Sequence, residues 1–371
     1  MLSLFSRNPG MLIATPEPKP RHRIKRGFII VGVVLLIGII GVGGWTAYKF
    51  VTNTNKVASG GILGLLSATK LSGESTGRVN ILLAGNSADD PGHGGAQLTD
   101  SLMVVSLDTA NNTAYMLSIP RDLWVNVPGH GYEKINAVYP QGGMSLLEQV
   151  VSDDLGVNIN YYTLVDYTAF KQAVDAVGGI SVTIASTDAR GIYDPNVGLD
   201  NNTSPLSLTN GVHVLSGETA LELARARNDP TPNGNTGYGL PNGDFDRAAN
   251  QRLMLVALKD KVASASTFTN PVKISELLDA LGSNVKTDFT TSDLRRLVEL
   301  SKTIPSTSIT SVSLTTTTSG NLLASYSTTD GQDAIIPAAG VNDFSAIQSY
   351  IANLNAGTAT ASPSPASKSQ Y

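Results

Sequence analysis

The sequence predicts an α/β layered domain that follows a single membrane-spanning segment. Two short apolar runs rich in branched residues, 79–84 and 101–107, are typical of strands buried on both faces. Residues 161–165 and 180–184 have the same character, and apolar residues recur at helical spacing between them. Strand, helix and strand in this order indicate helices layered on a sheet.

Residues 27–48 are 22 residues without a formal charge, which at 1.5 Å per residue cross a hydrocarbon core of about 30 Å. Trp45 and Tyr48 close the far end, where amphipathic rings prefer the membrane interface. Because a basic tail, 1–26, precedes the segment, the positive-inside rule predicts a single-pass protein of the cell membrane. Its N-terminus is then cytoplasmic, and residues 49–371 lie outside the cytoplasm. A cleaved signal peptide is the alternative, although its apolar region would be shorter and followed by a small-residue cleavage site.

Composition excludes several classes of protein. Of the 371 residues, 41% are hydrophobic and 15% are charged, which permits a sizeable core and excludes wholesale disorder. Residues 1–26 carry six basic groups and one acidic group, leaving 20 basic and 29 acidic groups in the remainder. An acidic body disfavours a nonspecific nucleic-acid binder, so no nucleic-acid partner is expected. The absence of cysteine excludes disulfides, thiolate metal sites and a cysteine nucleophile.

Patterning divides the exported part into four segments. Small and polar residues make 49–77 a predicted linker between the membrane and the domain. The domain is predicted for 78–265, and 266–355 is either its continuation or a small lobe. Residues 356–371 are mostly small and polar, so they bury too little surface to offset chain entropy and are predicted to be disordered.

One arginine stands just past a predicted strand. Arg121 follows Pro120 after the strand predicted for 115–119, at the kind of edge where α/β sheets bind ligands. Proline fixes φ and ends regular pairing there, which lets the Arg121 guanidinium turn out of the sheet. Taken alone, Arg121 is equally explained by pairing with Asp122 or another surface acid.

Two further arginines, Arg225 and Arg227, follow a helix that Ser216 is predicted to cap. On a helix their directions would diverge by about 200°, whereas an extended chain puts both on one side. Pro230 disfavours helical geometry in the residue before it. The helix is therefore expected to end near Arg225, and both guanidinium groups to face one site.

A longer helix is predicted to begin at Asp244 and to reach about residue 261. Arg247 and Gln251 are four positions apart and share one face near its start. Free backbone N–H groups and the helix dipole favour an anion at that end. The alternative is an exposed helix start with local pairing of aspartate and arginine.

Carboxylates complement the arginines. Asp100 lies where a loop meets the second predicted strand, and Asp89 and Asp90 lie within that loop. Mg²⁺ is usually held by one or two carboxylates together with substrate phosphate oxygens and water, a need that these aspartates meet. Equally, aspartates in an Asp-Asp-Pro-Gly sequence commonly bond their own backbone in a turn.

In combination these segments resemble the LytR-CpsA-Psr proteins of bacterial cell envelopes, over residues 79–261. The resemblance rests on the order and spacing of short segments, and the single N-terminal span also fits. The segments are Asn80-Ile81-Leu82-Leu83-Ala84-Gly85, Thr99-Asp100-Ser101, Ser118-Ile119-Pro120-Arg121-Asp122, Lys134-Ile135-Asn136, Asp175-Ala176-Val177-Gly178-Gly179-Ile180, Leu215-Ser216-Gly217-Glu218-Thr219-Ala220-Leu221, Arg225-Ala226-Arg227, Gly243-Asp244-Phe245-Asp246-Arg247 and Gln251-Arg252.

This resemblance implies an α/β/α layered domain with a central mixed sheet. It also implies Mg²⁺-assisted transfer of a phosphate-linked glycan from a polyprenyl pyrophosphate carrier to a peptidoglycan hydroxyl, with an apolar pocket for the prenyl chain. Asp100, Arg121 and Arg227 would be catalytic, with Asp100 and Asp89 as metal ligands. The substrate-binding residues would be Arg225, Arg247, Gln251, Lys134 and Asn136. The general base is left open between Asp100 and Asp122.

Two positions depart from the family pattern. The family usually has an aspartate two residues after Gly85, where this chain has Ser87, and an arginine where this chain has Leu98. Asp89 or Asp90 is the candidate replacement for the lost carboxylate. If neither replaces it, metal affinity or turnover is reduced.

Three functions remain open on the sequence. The first is the glycan phosphotransferase, and the second is a non-enzymatic, membrane-anchored envelope protein that binds lipid-linked glycan or polyanion. The third is a secreted hydrolase with a serine or histidine nucleophile. The chain has no phosphate-binding loop, His-Glu-x-x-His pair or Gly-x-Ser-x-Gly elbow, and its four histidines are scattered.

Overall fold

The computed structural model describes residues 69–358 except 88, 90–96, 198–203, 229–233, 265–283, 291–292, 294–295, 298–299, 301–302, 315 and 318–319. The predicted cytoplasmic tail, membrane span, most of the linker, nearly all of the C-terminal tail and Asp90 lie outside the described residues. Among the helices in the described ranges, none combines the length and the apolar character that a bilayer crossing requires.

The described chain forms sixteen strands, five α-helices and three 3₁₀-helices. The strands are β1 Arg78–Asn86, β2 Thr99–Asp108, β3 Thr113–Ile119, β4 Trp124–Val127, β5 Gly131–Lys134, β6 Tyr161–Asp166, β7 Ile180–Ile184, β8 Ile192–Asp194, β9 Leu206–Leu208, β10 Gly211–Leu215, β11 Val285–Thr287, β12 Ile309–Ser313, β13 Thr316–Thr317, β14 Gly320–Asn321, β15 Leu323–Ser327 and β16 Asp333–Pro337. The helices are α1 Val138–Leu155, α2 Tyr167–Ala176, α3 Gly217–Arg225, α4 Asp244–Ser264 and α5 Ser345–Asn355; the 3₁₀-helices are Glu74–Thr76, Ile135–Ala137 and Ser306–Ser308.

A six-stranded mixed sheet in the order β11-β6-β1-β2-β3-β12 forms the centre of the domain. The β1–β6 and β3–β12 pairs are parallel, and the β1–β2, β2–β3 and β6–β11 pairs are antiparallel. The prediction of a central mixed sheet is therefore confirmed. The parallel β1–β6 pair places Asn86 beside Asp166, so both strands deliver their last residues to one edge of the sheet.

The two faces of this sheet bury alternate residues, as period-two patterning requires. Leu82 on β1, aligned with Val104 and Leu117, belongs to a core shared with α1 and α5. Ile81, aligned with Val105 and Met116, belongs to the opposite core, which contacts α4. Helices thus cover both faces, which gives the α/β/α layering.

Helices α2 and α3 begin at side-chain caps. The Asp166 carboxylate accepts the backbone N–H of Ala169 at 2.7 Å and begins α2. Ser216 accepts the N–H of Thr219 and begins α3, as predicted. Gly217 then allows α3 to approach α2 closely, since a Cβ at this position would lie 2.2 Å from the carbonyl oxygen of Lys171. This close approach fixes the start of α3 against α2.

The structure corrects the predicted linker boundary at residue 77. Leu71 is 3% exposed and packs in the core on the second face of the sheet, so the fold begins before β1. Glu74 extends this contact through an ion pair with Arg296.

Downstream, β11 and β12 form the two edges of the central sheet, so residues of the 266–355 segment complete the domain.

Candidate functional site

A cavity of about 250 Å³ lies between the second face of the sheet and helices α2, α3 and α4. Its interior is apolar, because small and branched side chains of the sheet meet those of the covering helices. Apolar lining residues include Leu83, Met103, Val165, Ala169, Ala173, Leu221, Met254 and Leu258. Such a lining suits an extended hydrocarbon chain.

Four arginines line the same cavity, and three separate elements bring them there: Arg121, Arg225, Arg227 and Arg247. Arg121 follows β3, and Arg225 is the last residue of α3. Ala226 is extended, with φ −60° and ψ 131°, so Arg227 turns to the same side as Arg225. Arg247 and Gln251 lie one turn apart on α4 and both reach the cavity.

Asp100 faces these cations from the start of β2. Its Oδ1 lies 2.8 Å from Nη1 of Arg121 and accepts a longer bond, 3.4 Å, from the Asn136 side chain. Burial alone would raise the pKa of Asp100, but the Arg121 guanidinium and the Ser87 hydroxyl hold it below the usual value. Asp100 is therefore an ionised carboxylate on the cavity wall.

The guanidinium of Arg247 is the most buried of the four. Burial lowers its pKa, and the nearby Arg121 and Arg227 lower it further, whereas Asp244 opposes the shift. Asp244 lies 2.8 Å from Nη1 of Arg247 and 3.7 Å from Nη1 of Arg227. The cationic group is thus held together by carboxylates on two sides, Asp100 and Asp244.

Backbone contacts fix the loop that carries Arg227. The Asp194 carboxylate at the end of β8 accepts the N–H groups of Arg227 and Asn228 at 2.8 and 2.9 Å. Asp194 is 1% exposed and also accepts the N–H of Asn196. Asp194 could not be predicted as a site residue, because no local spacing connects residue 194 to the arginines at 225 and 227.

Gln251 and Arg252 attach α4 to its neighbours. Gln251 donates to the Ala224 carbonyl at 3.1 Å and accepts from the Ser101 hydroxyl at 2.8 Å. The next residue, Arg252, is 2% exposed and donates to the Ser118 hydroxyl on β3. Burial lowers the pKa of Arg252 to about 10. These bonds place α4 beside the strands that lead to Asp100 and Arg121.

Three predicted site residues stand behind the cavity wall. Lys134 pairs with Asp122 at 3.0 Å, and Asp122 also lies 3.4 Å from Nε of Arg121. Asn136 is 7% exposed and supports Asp100. Lys134 and Asn136 do not line the cavity. In the absence of substrate they position Asp122 and Asp100.

Asp89 contacts a helix start. Its two carboxylate oxygens accept the backbone N–H groups of Tyr167 and Thr168 at 3.1 and 2.7 Å. Asp89 is exposed and does not line the cavity that Asp100 lines. The joint metal-binding role expected for Asp89 and Asp100 stays a prediction.

Mg²⁺ requires several oxygen ligands. Across the ranges that the structure describes, no three or more His, Asp or Glu side chains form a metal-binding group. Ser87, at the position of the missing family aspartate, is fully buried; its hydroxyl lies 3.5 Å from the Leu98 carbonyl oxygen and helps to lower the pKa of Asp100. A single ionised carboxylate fits Mg²⁺ only when substrate phosphate oxygens and water complete the coordination.

Asp166, at the cavity edge, gives a prediction of pH dependence. Burial and the neighbouring Asp89 raise the pKa of Asp166 to about 6. An acid whose pKa is higher in the folded than in the unfolded state binds more protons when folded, so its contribution to stability falls as pH rises from about 4 to 6. Asp166→Asn retains a good cap and should flatten that fall. Urea unfolding at pH 4, 5, 6 and 7 measures the free energy of unfolding of the variant and of wild type. An equal difference between the two at every pH contradicts the raised pKa of Asp166.

The fold and site define an α/β/α domain with a cavity that joins a group of arginines to an apolar interior, an arrangement suited to an anion with a long apolar tail. The model of the LytR_cpsA_psr family matches residues 48–336, more than three quarters of the chain. The protein therefore belongs to the LytR-CpsA-Psr family, as the sequence segments predicted.

Curated relatives share about a third of their aligned residues with this chain. The polyisoprenyl-teichoic acid–peptidoglycan teichoic acid transferase TagU of Oceanobacillus iheyensis is 34% identical over 226 residues, 59% of this chain and 62% of the relative. The regulatory protein MsrR of Staphylococcus aureus is 31% identical over 207 residues, 55% of each chain. The chain thus spans little more than half the length of these relatives.

A solved structure has the same fold. The crystal structure of B. subtilis TagV aligns with a TM-score of 0.55 and 28% identity, covering 73% of this chain and 94% of that chain. The sheet order and the helical layers described above therefore belong to a known architecture.

Proposed function

We propose that this protein transfers a phosphate-linked glycan from a polyprenyl pyrophosphate carrier to a hydroxyl group of peptidoglycan. One observation carries the proposal: four arginines and an ionised aspartate line the same cavity as a continuous apolar wall. A polyprenyl pyrophosphate has both complementary parts, a dianionic or more highly charged head and a hydrocarbon tail. The name of the TagU relative, a polyisoprenyl-teichoic acid transferase to peptidoglycan, supports the same substrate class.

Binding divides between the two parts of the cavity. The apolar side chains of β1, β6, α2 and α4 would bury the first isoprene units, gaining about 25 cal/mol per Å² of apolar surface. The guanidinium groups would bind the diphosphate, since arginine forms bidentate bonds to phosphate oxygens. The head group would then lie at the sheet edge beside Asp100, with the glycan directed outward.

The reaction proposed is an in-line displacement at the glycan-linked phosphorus. The acceptor hydroxyl oxygen forms a bond to this phosphorus, and the bond from the phosphorus to the bridging oxygen breaks, releasing polyprenyl monophosphate. Negative charge grows on the leaving phosphate, where Arg121, Arg227 and Arg247 stabilise it. The proton of the acceptor hydroxyl would pass to Asp100, because Asp100 lines the cavity and Asp122 does not.

Mg²⁺ is part of the proposal as an assisting ion. Asp100 would hold it jointly with substrate oxygens, and the ion would supply further neutralisation of phosphate charge. The chain's own contribution is that Arg121 and the Ser87 hydroxyl keep Asp100 ionised.

The proposed location is the outer face of the cell membrane. The uncharged segment 27–48 would anchor the chain, and the positive tail would remain in the cytoplasm. This location gives the cavity access to a lipid-linked substrate and to the peptidoglycan acceptor.

A second candidate is a non-enzymatic regulator that binds lipid-linked glycan. Two observations favour it: the S. aureus relative is named a regulatory protein, and Ser87 replaces the carboxylate that the family pattern expects. Both candidates use the same cavity, so only product formation separates them.

The test is turnover by the purified full-length chain in detergent with Mg²⁺. It is incubated with a polyprenyl pyrophosphate-linked glycan and a peptidoglycan fragment, and products are followed by mass spectrometry. The transferase proposal predicts polyprenyl monophosphate and a phosphodiester-linked glycan in equal amounts. Saturable binding without either product would support the regulator and contradict the transferase.

A further inference from the structure

Asp244 occupies an unusual position for a carboxylate in an anion-binding site. It lies in the first turn of α4, and its Oδ1 approaches Nη1 of Arg247 to 2.8 Å and Nη1 of Arg227 to 3.7 Å. It also acts on Arg121, raising the pKa of that guanidinium together with Asp100 and Asp122, against the lowering effect of burial. One carboxylate thus interacts with three of the four cavity arginines.

The cations need such a partner when no substrate is present. Arg247 is 9% exposed, and the charges of Arg121 and Arg227 both disfavour its charged form. Gathering like charges in a partly buried site is unfavourable unless an anion compensates them. Asp100 pairs with Arg121, and Asp244 contacts both Arg227 and Arg247.

The contact of Asp244 is of a kind that an incoming anion can replace. Its Oδ1 is buried and close to Arg247, yet the pair lacks hydrogen-bond geometry, so attraction of charge dominates. The side chain as a whole is 39% exposed, so part of it already faces solvent. Diphosphate oxygens offer the same guanidinium groups directional, bidentate bonds as well as charge.

We propose that Asp244 is an internal counter-anion that stabilises the empty arginine cluster and competes with the substrate diphosphate for Arg227 and Arg247. The proposal rests on the function proposed above and deepens it, since it names a residue that limits affinity for the carrier. This role differs from those of the aspartates that line the cavity: Asp100 pairs with Arg121, Asp166 caps α2, and Asp194 accepts backbone N–H groups of the Arg227 loop.

A simpler role is that Asp244 stabilises the start of α4 through the helix dipole. That role predicts lower stability without Asp244 but no gain in anion affinity. A role in orienting the arginines for substrate predicts weaker anion binding. Only competition predicts tighter anion binding without Asp244. The sign of the change in anion affinity therefore separates the three roles.

The experiment measures binding of inorganic pyrophosphate to the full-length chain in detergent, by isothermal titration at constant ionic strength, for wild type and Asp244→Asn. Asparagine keeps the size and the helix-start preference but removes the charge. We expect about tenfold tighter binding, as the loss of one competing charge at close range allows, and a melting temperature without ligand lower by a few degrees. Asp260→Asn, an exposed position on the same helix, removes an equal charge away from the cavity and should match wild type.

Each outcome has one meaning. Tighter binding by Asp244→Asn with an unchanged Asp260→Asn supports competition. Unchanged or weaker binding by Asp244→Asn overturns it, as does an equal gain in both variants. If wild type and both variants fail to bind pyrophosphate, the proposed function fails as well, and this is visible in the wild-type titration itself.

Discussion

Arg121→Ala is expected to lower turnover of a polyprenyl pyrophosphate-linked glycan by about 10²–10³-fold, the loss seen when one preorganised donor to transition-state charge is removed. Two effects combine. The variant loses a guanidinium from the cavity wall, and it leaves Asp100 as a negative charge without its 2.8 Å partner, facing the diphosphate. The measurement is the initial rate of polyprenyl monophosphate release, with circular dichroism to establish folding.

Two further variants test whether the loss of turnover comes from the position of the Arg121 guanidinium in the cavity. Arg121→Lys keeps a charge near Asp100 but loses the planar fork, so partial recovery is expected. Arg190→Ala removes an exposed arginine that pairs with Asp188 and does not line the cavity, and it should match wild type. Wild-type turnover by a folded Arg121→Ala would refute the role assigned to this residue.

Ala173→Phe is expected to abolish binding of long prenyl diphosphates while leaving inorganic pyrophosphate binding within about twofold of wild type. Ala173 is 6% exposed on α2 and lines the apolar interior, so a phenyl ring there would occupy space proposed for the prenyl chain. Overpacking of this kind costs about 1–3 kcal/mol of stability, which the fold is expected to tolerate. Parallel titrations with geranylgeranyl diphosphate and with pyrophosphate measure the affinity for each ligand separately.

The matched control is Ala352→Phe, which adds the same ring to an exposed position on α5. It should bind both ligands as wild type does. Equal loss of binding of both ligands in Ala173→Phe would indicate general disruption of the fold. Undiminished binding of the prenyl diphosphate would place the prenyl chain outside this cavity.

Much of the fold was predictable because local patterns agree with tertiary burial. The apolar runs at 79–84 and 101–107 lie within β1 and β2, and the predicted helix start at Ser216 is the observed one. Helix α1 was not assigned, since its interior contains Gly142 and Gly143 with non-helical backbone angles that interrupt the pattern. The linker boundary was placed too late, because the burial of Leu71 depends on residues far along the chain.

A site residue was predictable only where the geometry of its own helix or extended segment sets the direction of its side chain. The shared direction of Arg225 and Arg227 follows from the extended residue between them. The shared face of Arg247 and Gln251 follows from the helical period. Asp194 and Arg252 act through partners on other elements, and no spacing in the sequence indicates those contacts. For Asp244, helical spacing indicates the contact with Arg247 but not the contact with Arg227. Asp89 shows the opposite case: its residue type suggested a metal ligand, whereas its position beside α2 gives it two backbone N–H groups to accept.

The central claim is that one cavity binds the diphosphate with its arginines and the prenyl chain with its apolar wall. A crystal structure of the protein with a prenyl diphosphate tests this most directly. The account predicts phosphate oxygens within hydrogen-bond distance of Arg121, Arg227 and Arg247, with the first isoprene units against Leu83, Ala173 and Met254. A diphosphate bound away from these arginines, or a prenyl chain lying outside the cavity, would contradict it.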